Sequence, residues 1–384
     1  METNAPYDLL IAGGMALDPS QGLRAKRDVA IKDGKIAAVA DGIPASKARR
    51  VVQASGRLMT PGLIDLHAHV YWKATNLGLE PDQVCGRTGV TTVVDAGSAG
   101  AATFAGFRHF VIERAKTRII PFLHVSSIGL TTDKECRNLE LVDVGMAVEC
   151  VREHRDLIGG IKVRANRSGV GDQSVFPVYL ARDVAEVTGL PLMVDTFSPP
   201  PSIEQVFPVM RPGDIATHVY KGHHGGLMGQ WNTHIRPSAL EAQARGVIFD
   251  LGHGHGSFSW EVAEAACKLG FFPDTLSTDL HVRSAQLPDC DMPSCMAKLM
   301  ALGASLEDVV RWSTVNCAKA LRREELGTLR VGCPGDVTVL ELTEGSYTYY
   351  DVAQRPYAGR YRLKALFTVC RGVVTYDALM GESG

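Results

Sequence analysis

The chain has 384 residues, 45% of them hydrophobic and 21% charged, the balance of a globular protein with more apolar material than one small core can use. A formal charge of −2 gives no electrostatic reason to expect nucleic acid or a membrane surface as partner, and no apolar run reaches the ~20 residues needed to span a bilayer. Function must therefore reside in a site, and the partner expected is a small molecule.

The opening Met1-Glu2-Thr3-Asn4 has neither the basic start nor the apolar core of a signal peptide, and nine cysteines are scattered without a Cys-x-x-Cys pair. The expectation is a reducing cytoplasm, with single thiols packed as small hydrophobes. The nearest pair, Cys290 and Cys295, leaves a bridge or a metal open.

Residues 1–60 read as short strands: Asp8-Leu9-Leu10-Ile11, Asp28-Val29-Ala30-Ile31 and Lys35-Ile36-Ala37-Ala38-Val39. The last two flank Asp33-Gly34, a hairpin signal because both residues tolerate positive φ. Residues 329–384 read alike, with strands at Gly335 to Leu340 and Ala365 to Val374. Neither end has the apolar surface to stand alone, so the two are expected to pair into one small β domain.

Residues 61–328 alternate apolar strands with amphipathic helices. The strand candidates are Gly62 to His67, Val90 to Ala96, Ile119 to Val125, Ile158 to Val163, Leu190 to Asp195, Asp214 to Tyr220, Val247 to Leu251 and Thr275 to Leu280. Helices are expected at Phe107 to Lys116, Val178 to Val187, Ser238 to Arg245, Trp260 to Leu269 and Leu306 to Leu321. Near-continuous apolar strands alternating with helices describe a parallel sheet, and eight such units argue an α/β fold of the (β/α)8 TIM barrel type. The competitor, an open doubly wound sheet, would want a glycine-rich phosphate turn after the first strand, where this chain has histidines.

In such a barrel the site lies at the C-terminal strand ends. The first strand ends in His67 and His69, whose side chains share one side because strand residues two apart do. The fourth carries Lys162, the fifth ends in Asp195, the sixth carries His218, and the eighth ends in Asp279 followed by His281. Each has an ordinary alternative: a lysine reaching solvent, an aspartate capping a helix, a core histidine. Coincidence of all of them at successive strand ends favours a shared metal site.

These residues lie in stretches that resemble the amidohydrolase superfamily of metal-dependent hydrolases, and within it the deacetylase-like members. The resemblance runs through Tyr7 to Ile11, Pro61 to His69, Gly89 to Gly100, Ile161 to Arg164, Thr217-His218, Ser277 to His281 and Gly335 to Val337. It implies two divalent metals, usually zinc with manganese possible, in a barrel flanked by a β-sandwich from both chain ends. Carried over by position, His67, His69 and Asp279 hold the first metal, carboxylated Lys162 bridges both, and His218 and Asp195 complete the set. The two metals would acidify a bridging water, Asp279 would take its proton, and an amide or ester would be hydrolysed. Homo-oligomers are common in the family.

At the end of the fifth strand the family ordinarily supplies a histidine, and here Leu192-Met193-Val194-Asp195-Thr196 supplies an aspartate. A carboxylate adds negative charge and favours harder metals than imidazole does. Substrate-binding candidates are Arg164, Tyr220 and His253, with Arg167, Lys221, His223, His224 and the run Gly252-His253-Gly254-His255-Gly256 nearby. The guanidinium of Arg164 suits a substrate carboxylate. The expected activity is therefore a binuclear, deacetylase-like hydrolase of a small carboxylate-bearing molecule. The alternatives are a dihydroorotase- or hydantoinase-type cyclic amidase, a lactonase, or a catalytically silent scaffold.

Overall fold

The computed structural model describes residues 5–222 and 225–379. The N-terminal strands are β1 (Tyr7–Asp18), β2 (Leu23–Lys32), β3 (Lys35–Ala40), β4 (Ala48–Gln53) and β5 (Leu58–Pro61). The barrel strands are β6 (Leu63–Ala68), β7 (Val90–Gly100), β8 (Arg118–His124), β9 (Gly160–Arg164), β10 (Leu192–Asp195), β11 (Ile215–Thr217) and β12 (Ile248–Asp250). The chain ends with β13 (Val337–Tyr350), β14 (Pro356–Cys370) and β15 (Val373–Asp377).

Both chain ends meet in one eight-stranded sheet ordered β15-β14-β13-β5-β1-β2-β3, with β4 also on β1. The Asp33-Gly34 turn has φ of 47° and 74°, the left-handed pair that the hairpin between β2 and β3 requires. β5 joins the ends, lying antiparallel to β13 and parallel to β1, and runs through Pro61-Gly62 directly into the barrel. An ion pair between Arg118 on β8 and Asp336 just before β13 ties this sheet to the barrel.

The barrel strands pair in parallel in chain order from β6 to β12. The expected eighth strand is a closing segment instead of a ladder: Thr275 bridges Asp250 and Leu280 bridges Ala68, which shuts the ring. Its hydroxyls explain the difference. Thr275 and Ser277 donate to Asp250, and Thr278 donates to Asp65, so side chains replace part of the backbone pairing. At the N-terminal end the bore is filled by Ile64, Leu66, Val94, Ile120, Phe122, Met193 and Ile215, closed by Cys317, Ala318 and Leu321. Each large side chain buried there contributes about 1.5–3 kcal/mol. Packed at this end, the barrel leaves only its other mouth for a site.

The helices Phe176–Thr188, Pro237–Ala244 and Trp260–Lys268 lie where amphipathic spacing places them. The segment from Phe107 is mostly a π-helix, Arg108–Ile112. The span 306–321 is two helices, Leu306–Trp312 and Val315–Ala320, because Ser313 and Thr314 turn their hydroxyls back onto the carbonyls of Val309 and Val310. All nine cysteines are free thiols, Cys290 and Cys295 among them. No helix among the described residues is long and apolar enough to cross a membrane.

Candidate active site

The C-terminal strand ends surround a cavity of about 260 Å³ whose lining includes His67, His69, Lys162, Asp195, His218 and Asp279. Residues from five separate elements thus converge at one place, and all six are at least nine-tenths buried. His67 and His69 stand edge to face with ring centroids 5.4 Å apart. Their Nε2 atoms lie 3.5 and 3.3 Å from Asp279 Oδ1, and ligand atoms of the three residues all fall within 4.8 Å of one another.

Hydrogen bonds behind the ligands fix which nitrogen faces inward. Thr217 donates its hydroxyl to Asp250 Oδ2 at 2.8 Å, so its oxygen accepts from His67 Nδ1 at 2.9 Å. His218 Nδ1 donates to Gly252 O at 2.7 Å. His67 and His218 therefore present Nε2 lone pairs to the cavity, the state a metal ion demands. Burial, reinforced by the Lys162 charge, holds the His67 pKa well below the usual imidazole value, which keeps that ring neutral. For Asp279 burial opposes ionisation, but the ring of imidazoles around it, with a hydrogen bond from His69, outweighs burial and the carboxyl titrates well below its ordinary range.

Lys162 is fully buried, with Nζ 3.5 Å from His67 Nε2 and, among the described residues, no carboxylate within salt-bridge distance. Burial lowers its pKa, although Asp195 and Asp279 pull the other way. Asp195 Oδ2 accepts from Asn166 Nδ2 at 3.1 Å and lies 3.6 Å from His218 Nε2; its Oδ1 is buried without a hydrogen-bond partner. Burial resists its charge, yet His218, Lys221 and Lys162 drive its pKa far below the normal carboxylate value. An ionised carboxylate with one idle oxygen beside inward-facing imidazole nitrogens is what a divalent cation site needs. The donor set fits divalent metal.

The backbone is bent to make this possible. His218 has φ 75° and Asp279 φ 47°, left-handed values that are rare outside glycine and concentrate at functional sites. The glycine run after β12 is there for clearance. A Cβ on Gly252 would lie 2.4 Å from Thr217 Oγ1, and one on Gly254 only 2.2 Å from Asp279 Oδ2.

The other candidates divide. Arg164 and Lys221 line the cavity, but Arg164 is committed to a bidentate pair with buried Glu135 at 2.8 and 2.6 Å. Arg167 is exposed and outside the lining. Tyr220 and His253 are not brought to the cavity either. The Tyr220 hydroxyl donates to Phe271 O at 2.9 Å, and the His253 ring is turned behind its loop, stacked on Phe258 and bonded to Lys298. His223 and His224 lie outside the described residues. The lining also includes Asn166, Arg283, Leu77 and Leu130, which the sequence reading passed over. Asn166 caps helix Arg167–Val170 through its oxygen while its amide nitrogen holds Asp195, so its capping signature hid its second contact.

Comparison with known proteins agrees with this geometry. The amidohydrolase family profile matches residues 256–375. A deacetylase of Agrobacterium fabrum is 36% identical over 354 residues, covering 90% of this chain and 85% of its own. The chain belongs to the amidohydrolase family. A crystal structure of an adenine deaminase superposes on this amidohydrolase with a TM-score of 0.90 at 30% identity, covering 97% of this chain and 100% of that one. A crystal structure of a dihydroorotase gives 0.88 at 32% identity, covering 96% and 99%. The chain is thus a hydrolase on a TIM barrel with an attached β domain, of a family that generally uses divalent metals.

Proposed function

We propose that this amidohydrolase removes an acyl group, acetyl first among them, from a small carboxylate-bearing molecule by hydrolysing an amide or ester. The observation that carries the reading is the convergence of His67, His69 and Asp279 within 4.8 Å, with His218, Asp195 and Lys162 in the same cavity. His67, His69 and Asp279 would hold one divalent ion, zinc or manganese. His218 and Asp195 would hold a second, bridged by Lys162 as its carbamate. Burial supports that modification, because carbon dioxide adds to the neutral amine and burial favours the neutral amine. When bound, such ions supply a water acid enough to ionise near neutral pH and a Lewis acid for the scissile carbonyl.

The protein's own part follows from its geometry. Asp279 is ionised and faces the cavity, so its carboxylate accepts the proton of the attacking water and returns it to the leaving group. Lys221 and Arg283 line the same cavity without a carboxylate within 4 Å among the described residues, which suits them to a substrate carboxylate better than Arg164, already neutralised by Glu135. Nine free thiols support a reducing compartment such as the cytoplasm.

The likeness to a dihydroorotase at 32% identity favours cyclic amides as a second reading. The complete donor set speaks against a silent scaffold, which needs no buried ligand atoms. The test is a comparison of initial rates on N- and O-acetylated acids, their uncharged analogues, cyclic amides and lactones, with and without chelator. The proposal expects chelator-sensitive release of acetate, fastest from the acids. Turnover confined to cyclic amides would replace it with the second reading.

A further inference from the structure

Lys298 is a completely buried lysine for which the proposed chemistry has no use. It stands on helix Met292–Ala301, behind the loop that follows β12, and its ammonium donates to Tyr350 O at 2.6 Å and to His253 Nε2 at 2.8 Å. The rings of Phe258 and Trp260 flank it at 5.4 and 6.0 Å. A buried cation is expensive to maintain where an apolar side chain would fill the same space. Its donors must hold something.

What they hold is His253. With Nε2 accepting from Lys298, the imidazole proton resides on Nδ1, which donates to Gly254 O at 3.0 Å, while the ring lies on Phe258 at 4.7 Å and 14°. Gly254 N–H in turn donates to Thr278 O at 2.8 Å, and Gly254 packs against Asp279 with no room for a Cβ. The far end of the same loop is pinned by Val352 N–H to Phe258 O at 3.2 Å, so the loop that brings His255 and Ser257 to the cavity is gripped at both ends.

We infer that Lys298 is a positioning residue that couples the tip of the β13–β14 hairpin, through His253 and Gly254, to the Asp279 carboxylate. Its kinetic consequence rests on the hydrolase reading above; its structural consequence does not. Lys298→Met keeps length and packing but removes the donors, and His253→Phe keeps the stacked ring but removes both hydrogen bonds. For each variant, kcat and KM on an N-acetylated carboxylic acid are measured together with thermal melting and the visible absorption spectrum of the cobalt(II)-loaded protein, which reports the coordination of Asp279.

The expected result is a kcat reduced by about tenfold to a hundredfold, the loss that a misplacement of up to about 1 Å brings, with KM within about twofold and a shifted cobalt spectrum in folded protein. A role confined to packing predicts lower melting with the spectrum and kcat of the folded fraction unchanged. That outcome in either variant, or failure of both to fold, overturns the inference. Should the parent protein hydrolyse no acylated acid, the deacylase reading fails, and the cobalt spectrum alone still decides whether Lys298 positions Asp279.

Discussion

Gly254→Ala is the smallest change that reaches the proposed proton acceptor. The new methyl carbon would lie 2.2 Å from Asp279 Oδ2 and 3.1 Å from its Cγ, closer than an ordinary contact by about 1 Å. Asp279 has little freedom to yield, because its other oxygen is placed between His67 and His69 at 3.5 and 3.3 Å. Either the carboxylate or the loop must move by about that distance. A 1 Å misplacement of a reacting group lowers rate by about a hundredfold, equivalent to about 2.7 kcal/mol of barrier. Alanine at the φ of +53° adds a stability penalty of about 1–2 kcal/mol, which in a chain of this size lowers melting by only a few degrees. Steady-state rates of acetate release, taken beside a melting curve, separate the two effects. A folded Gly254→Ala protein with parental kcat would refute the assignment of the Asp279 carboxylate to proton transfer.

Other residues give independent tests. Lys162→Ala should bind fewer metal ions per chain and lose at least about a hundredfold in kcat, with partial recovery on adding short carboxylic acids; elemental analysis and rates check both. Thr217→Val removes the acceptor that orients His67 Nδ1, so metal affinity measured by competition with a chelator should fall about 10–100-fold while the fold persists. Glu135→Gln leaves the Arg164 guanidinium with only the more distant Asp133 carboxylate at 3.6 Å, and denaturant unfolding should show a loss below the ~3–5 kcal/mol of a fully uncompensated buried charge.

Much of the barrel was legible because its strands are apolar runs that end in polar residues. His67, His69, Lys162, Asp195, His218 and Asp279 stood out as interruptions of that pattern, and the fold brings all of them to one cavity. What the sequence concealed was direction and distant partnership. His253 lies in the same glycine-rich run as His255, yet only His255 faces the cavity, because a lysine 45 positions onward captures the His253 ring from behind. Arg164 looked free for substrate because its partner Glu135 comes 29 residues earlier, in the loop after β8. The closing segment 275–280 read as the eighth strand from its place in the alternation, but its hydroxyls bond Asp250 and Asp65, an exchange that periodicity does not register. Helices Val144–Glu153 and Met292–Ala301 went unread, although Asp143 and Asp291 cap them with side-chain hydrogen bonds.

The measurement closest to the central claim is metal content per chain, by elemental analysis of protein isolated without added metal and again after incubation with zinc or manganese and bicarbonate, followed by activity at each loading. The account predicts about two ions per chain in the loaded protein, activity that rises with occupancy and is abolished by chelation, and the second equivalent lost in Asp195→Ala. Protein that binds no stoichiometric metal under any of these conditions, or that hydrolyses its substrate equally well with and without it, would contradict the account.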